Sequence, residues 1–285
     1  MNPNIDDEWD IIISPKSSWL HLNLGDVWRF RDLIFMFVKR DFIAQYKQTV
    51  LGPLWFIIQP LITTATYIVV FGNIAKLSTD GQPEMLFYMC GILFWNYFST
   101  SFLRTSETFS ANAGMFGKVY FPRLTVPIAS VLSSFISFGI QFVLLMCIFM
   151  FYILNGYDVQ LNAVMLLFPF LMILMAAQAL GFGIIISSMT TKYRDLKYLV
   201  TFGVQLLMYA TPVVYPMSAV TDIRLQLFLK LNPITPVIET FRYGLLGSGT
   251  FSWQDLVYSF IVSFIVLLLG IALFNRVEKT FMDTI

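Results

Sequence analysis

The stretch KRDFIAQYKQTVLGPLWFIIQP, residues Lys39 to Pro60, changes character half-way along. As far as Gln48 it is charged and amide-rich. From Val50 onward it is almost wholly apolar, broken by Pro53, Pro60 and a lone Gln59. A basic segment set directly against an apolar run matches a chain entering a bilayer: Lys and Arg stay among lipid phosphates while the apolar part crosses. Pro53 falls in the first turn of that run, where a missing N–H costs nothing. Pro60 falls further in and is expected to kink it.

Upstream, Phe30, Leu33, Ile34, Phe37 and Val38 recur at helical spacing and make one apolar face. Asp41 would interrupt that face, and Phe42, Ile43, Tyr46 and Val50 form a second stripe. Arg31, Lys39, Arg40 and Lys47 lie off these stripes or at their ends. The pattern predicts an amphipathic helix in the cytoplasmic interface, bent near Lys39–Asp41. A solvated basic flank would carry the same charges.

Composition supports a membrane protein throughout. Of 285 residues, 57% are hydrophobic and only 12% charged, about half the share in soluble domains. Mean hydropathy is +0.72. Cys90 and Cys147 both sit in apolar runs without a CxxC, and His21 is the single histidine, so neither a disulfide framework nor a metal site is expected. The acidic N-terminus (Asp6, Asp7, Glu8, Asp10) does not read as a cleavable signal. With a net charge of +1, nothing points to nucleic acid.

Six charge-free runs approach the about 20 residues that cross a hydrocarbon core: 48–75, 85–103, 124–157, 159–191, 198–221 and 256–275. They place spans near 53–75, 85–103, 128–154, 163–188, 198–215 and 256–274, the fifth broken at its end by Pro212 and Pro216. The fold class is an all-α integral membrane protein. Residues 1–50 form a cytoplasmic tail and interface helix, and residues 51–285 form a six-helix domain. With both termini inside, fourteen of the eighteen Lys and Arg residues are cytoplasmic, including Lys118, Arg123, Lys192 and Arg194. The segment 216–255 would then be outside. It holds two short apolar stretches, around Leu225–Leu231 and Val237–Leu246, separated by Pro233 and Pro236. This suggests a re-entrant outer hairpin between helices 5 and 6, with a small extracellular cap as the alternative.

No GxxxxGK[ST] loop is present, so nucleotide binding of the P-loop kind is not expected here. The spans as drawn lack Asp, Glu, Lys and Arg, which argues against ion-coupled transport and against membrane enzymology. They do carry polar and aromatic stripes. Tyr198, Phe202, Gln205 and Tyr209 share one helical face, and so do Trp55, Gln59, Thr63 and Thr66. Such faces avoid lipid and suit a path for a neutral polymer that stacks weakly on rings. Packing and interfacial belts account equally for many of the 29 phenylalanines. Ala177/Gly181 and Ala179/Gly183 are small-xxx-small pairs for close helix packing.

Five segments carry a family resemblance: RDFIAQYKQTVLGPLWFIIQPL (40–61), FGNIAKL (71–77), GKVYFPRLTVP (117–127), YATPVVYP (209–216) and LNPITPVIETFR (231–242). From about residue 26 to the end, the chain resembles the permease subunit of ABC-2-type exporters of O-antigen, capsule and teichoic acid. The resemblance implies a homodimer in the bacterial cytoplasmic membrane, with two ABC ATPase subunits holding ATP and Mg and a lipid-linked polysaccharide as substrate. It implies a coupling helix within 105–120, which makes Glu107, Asn112, Lys118, Arg40 and Lys47 candidate ATPase-coupling residues. It implies outer gate helices at 216–246, which makes Pro212, Tyr215, Pro216, Pro233 and Pro236 gate candidates. The basic junction at residue 40 would be the lever that joins ATPase movement to the first span. An ABC-2 exporter of a drug or small lipid and a non-transport membrane scaffold are the alternatives.

Overall fold

The computed structural model describes residues 24–157, 159–190, 193 and 195–280. The acidic N-terminus, His21, Lys192 and Arg194 lie outside the described residues. All regular structure among the described residues is helical. In chain order the helices are α1 (Leu24–Arg29), α2 (Arg31–Tyr46), α3 (Trp55–Tyr67), α4 (Glu84–Ser106), α5 (Thr108–Phe116), α6 (Thr125–Leu154), α7 (Phe168–Thr190), α8 (Leu196–Tyr209), α9 (Ile223–Leu231), α10 (Thr235–Leu246) and α11 (Trp253–Thr280).

Among the described residues, five stretches are long and apolar enough to cross a membrane: Gly52–Ile74, Glu84–Ser106, Thr125–Leu154, Ala163–Thr190 and Trp253–Glu278. The first joins a 3-10 turn, α3 and a π-helical end at Ile68–Ile74, with Pro60 buried inside α3. The segment expected to cross as 198–215 differs. Its helix, α8, stops at Tyr209 after 14 residues. At 1.5 Å per residue that is about 21 Å, short of the hydrocarbon core of about 30 Å. Pro212 offers no N–H to continue the ladder, and the chain turns away over 210–215.

The junction at residue 40 also differs in detail. α2 runs unbroken through Lys39–Asp41, so the turn comes later, between Lys47 and Gly52, where Gln48 and Gly52 take positive φ. The first stripe is spent on protein. Ile34 and Phe37 are buried in a cluster with Phe109, Phe116, Phe121, Val126, Ile184 and Phe274, and Phe30, Leu33 and Val38 pack against it. The second stripe reaches α3, Phe42 stacking on Phe56 at 5.5 Å. Its last member, Val50, is fully exposed.

α4 is the axis of the bundle, with α6, α7 and α3 packed along it and α11 along α7. The small residues of α7 serve two faces. A Cβ on Gly181 would lie 3.0 Å from the Leu267 backbone of α11, and one on Gly183 would lie 2.5 Å from Thr105 of α4. α9 is largely exposed, with Leu225, Leu227, Phe228 and Leu231 on the surface. α10 is the reverse: every residue except Tyr243 is buried. It starts with Pro236 in its first turn and ends at Gly247 with φ 72°. Phe241 packs against Phe94, Phe142 and Phe168, so α10 belongs to the core rather than to a loop.

Candidate functional site

The two stripes lie on neighbouring helices. On α3, Trp55, Gln59 and Thr66 are exposed and Thr63 is half-buried. The threonine hydroxyls bond back to their own helix, Thr63 to the Gln59 carbonyl and Thr66 to the Ile62 carbonyl, each at 2.9 Å. On α8, Tyr198, Phe202, Gln205 and Tyr209 are all exposed, and Val204 is the helix's one buried residue. Both helices pack on α4, and they touch where the Tyr67 hydroxyl meets Met208 Sδ at 3.1 Å. The isolated subunit therefore presents rings and amides along an open face.

At the end where α4 and α7 finish, Arg40, Glu107 and Asn112 share a cavity of about 350 Å³ with Asp41, Gln45 and Arg104. Arg40 pairs with Asp41 at 2.8 Å and lies over Phe37. Glu107 also borders a second cavity, of about 480 Å³, with Ser110, Asp195 and Tyr198. Its carboxylate pairs with Lys197 at 2.9 Å, which ties α5 to the foot of α8. Lys47 and Lys118 line neither cavity.

Of the gate candidates, Pro212 is tied to α10 through Arg242, and Pro233 and Pro236 stand at its start. Pro212, Pro216 and Pro236 are buried, and Tyr215 and Pro233 half-buried. The Tyr215 hydroxyl donates to the Tyr209 carbonyl at 2.9 Å. The Pro233 carbonyl accepts from Gln178 Nε2 at 2.9 Å and from the Ser259 hydroxyl at 2.6 Å. Gln178 and Ser259 come from α7 and α11, so the entry to α10 is pinned by two spans.

The spans as drawn carry no Asp, Glu, Lys or Arg, yet an ion pair from outside them lies in the core. Glu239 and Arg242 are 2% and 0% exposed and meet at 2.7 Å. Arg242 also donates to the Pro212 and Val213 carbonyls at 3.0 and 3.1 Å and sits 3.9 Å over the Phe87 ring. Glu239 accepts from the Thr250 backbone and hydroxyl. Burial pushes the Glu239 carboxyl up from its ordinary value, while Arg242 and the Thr250 bonds pull the other way. Both residues fall in the 216–255 segment expected outside, where Arg242 is one of the four Lys and Arg residues assigned to that side. The available signal was Glu and Arg three apart on an otherwise apolar helix, a spacing that sets them side by side.

A family model described as ABC-2 type transporter matches residues 32–246, and the chain belongs to that family. It is similar to the O-antigen export system permease protein RfbA of Klebsiella pneumoniae, 26% identical over 262 residues, covering 92% of this chain and 96% of that protein. A Myxococcus xanthus protein of the same name is 27% identical over 218 residues, 76% of this chain and 81% of the relative. The capsule polysaccharide export inner-membrane protein CtrC of Neisseria meningitidis serogroup A is 23% identical over 263 residues, 85% of this chain and 89% of the relative.

Proposed function

We propose that this chain is the permease subunit of an ATP-driven exporter that moves a lipid-linked polysaccharide of the O-antigen type across the bacterial cytoplasmic membrane. The carrying observation is the match to an O-antigen export permease over 92% of this chain and 96% of the relative. The open polar and aromatic face of α3 and α8 supports it, since a sliding polymer needs many weak, similar contacts. Two copies facing one another would enclose that face. Two ABC ATPase subunits, carrying ATP and Mg, would seat below α2 and α5, where Arg40, Glu107 and Asn112 line one cavity.

In this reading α8 is the fifth of six spans, completed by the coil 210–215, and α9 and α10 are the outer hairpin. Irregular backbone at membrane depth is tolerated when protein groups satisfy it, as they do here. α2 is the interface helix, with Phe35 and Met36 exposed on the side away from its buried stripe. Both termini are cytoplasmic. In a background without the exposed Cys147, cysteines at Ser78 and Thr221 should react with an impermeant thiol reagent on intact cells, and one at Ser110 should not. Labelling of Ser110 from outside would invert the topology.

The transport reading is tested by Tyr209→Ala against Phe260→Ala. Tyr209 lies on the open face of α8, whereas Phe260 packs against Phe170 on the α7–α11 side. Surface polysaccharide per membrane-inserted permease should fall severalfold for Tyr209→Ala and little for Phe260→Ala. Parental export by Tyr209→Ala removes Tyr209 from the path, and equal loss by both variants favours packing.

A further inference from the structure

Five consecutive carbonyls, from the last residue of α8 onward, each have a donor. Tyr209 O accepts from the Tyr215 hydroxyl at 2.9 Å, and Ala210 O from Asn232 Nδ2 at 3.1 Å. Thr211 O accepts from the Val213 N–H at 2.7 Å. Pro212 O and Val213 O both accept from Arg242. A buried carbonyl without a donor is costly, so a helix that breaks inside the protein needs such a set.

We propose that Arg242 is a positioning residue: its guanidinium pegs the non-helical end of α8 to α10 and so fixes Tyr209 and Tyr215 at the end of the translocation face. The planar fork reaches Glu239 from one nitrogen and two carbonyls from the other, whereas a lysine carries all its donors on a single nitrogen. The Phe87 ring of α4 lies beneath the guanidinium and Thr250 holds its counter-ion, so the peg joins α4, α8, α10 and the approach to α11. Gly91 completes the seat, because a Cβ there would come within 2.5 Å of the Val213 carbonyl oxygen. A buried ion pair is by itself a weak source of stability. Its specific product here is a fixed backbone. That the two tyrosines contact polymer rests on the transport reading above; the pegging does not.

The test uses the permease with its ATPase in sealed proteoliposomes, in the background without Cys147, carrying a nitroxide on Ala219→Cys, an exposed site just beyond the segment. Arg242→Lys keeps the charge and loses the fork. The label should become mobile, and export per inserted permease should fall about tenfold, as expected when buried carbonyls lose a charged donor. Phe87→Leu should move both readouts in the same direction by less. A label as immobile as the parent's in Arg242→Lys overturns the proposal, whether or not export is lost, since the residue would then act elsewhere. If Arg242→Lys does not insert, Phe87→Leu decides: unchanged mobility overturns the proposal and increased mobility supports it. A parent complex that exports no polysaccharide would sink the transport reading and leave the mobility result standing.

Discussion

Glu239→Ala is expected to lower the thermal unfolding midpoint of the detergent-solubilised permease well below that of the parent. The change leaves the Arg242 charge at 0% exposure with no counter-ion, and it strips the Thr250 N–H and hydroxyl of their acceptor. Breaking a buried pair by removing one partner costs about 3–5 kcal/mol. Glu239→Gln retains an acceptor oxygen of the same reach and should lose roughly half as much, since hydrogen bonds survive while the charge does not. Replacing both residues by leucine removes the stranded charge but leaves the Pro212 and Val213 carbonyls without their donor. The double variant should therefore recover only part of the loss. A Glu239→Ala protein that melts with the parent would show that Arg242 reaches solvent or another anion.

The second large effect is expected at Gly183. Its position on α7 lets α4 approach so closely that an added Cβ would meet Thr105 Cβ at 2.5 Å, its methyl at 2.6 Å and the Phe102 carbonyl oxygen at 3.2 Å. Thr105 is fully buried and cannot swing aside. Gly183→Ala should cost about 1–3 kcal/mol through forced separation of the two helices, and Gly183→Val more. Gly203 on α8 is the control, because nothing lies within 4 Å of a Cβ there. Thermal melting of the two alanine variants separates the effects: a large drop for Gly183 and tolerance at Gly203. Equal melting would mean that α4 can shift along α7 without loss.

Much of this architecture was legible because membrane spans announce themselves locally. The apolar runs that became α4, α6, α7 and α11 needed only composition and length. The glycines of α7 were legible as packing sites, although not that Gly181 faces α11 and Gly183 faces α4. The aromatic and polar stripes were readable from periodicity, and both proved to be open faces. What escaped was non-local. α8 is short because donors from residues 215, 232 and 242 take over its carbonyls, and no window around Tyr209 contains that information. α10 resembled a surface hairpin because twelve residues cannot span a membrane. Its burial depends on a slot between α4, α7 and the chain at 162–165. The stripe on α2 was correctly periodic, but periodicity cannot distinguish lipid from the Phe109–Phe116 cluster as the surface it covers. Lys47 and Lys118 matched the expected charge and region, yet neither lines the cavities that border Arg40, Glu107 and Asn112.

The unbroken series of donors across residues 209–213 has a consequence for how this protein can vary over descent. Each donor is matched to a position along the backbone, so the letters at Val213 and Val214 can change while their carbonyls remain where they are. An inserted or deleted residue cannot be absorbed in the same way. It would shift every carbonyl past it by one place and leave Arg242 facing the wrong pair. Kin that share this arrangement should therefore differ in spelling between Tyr209 and Tyr215 but agree in length. Gaps among them should collect instead in the exposed stretch near Thr221, where the backbone bonds reach no further than Gln226.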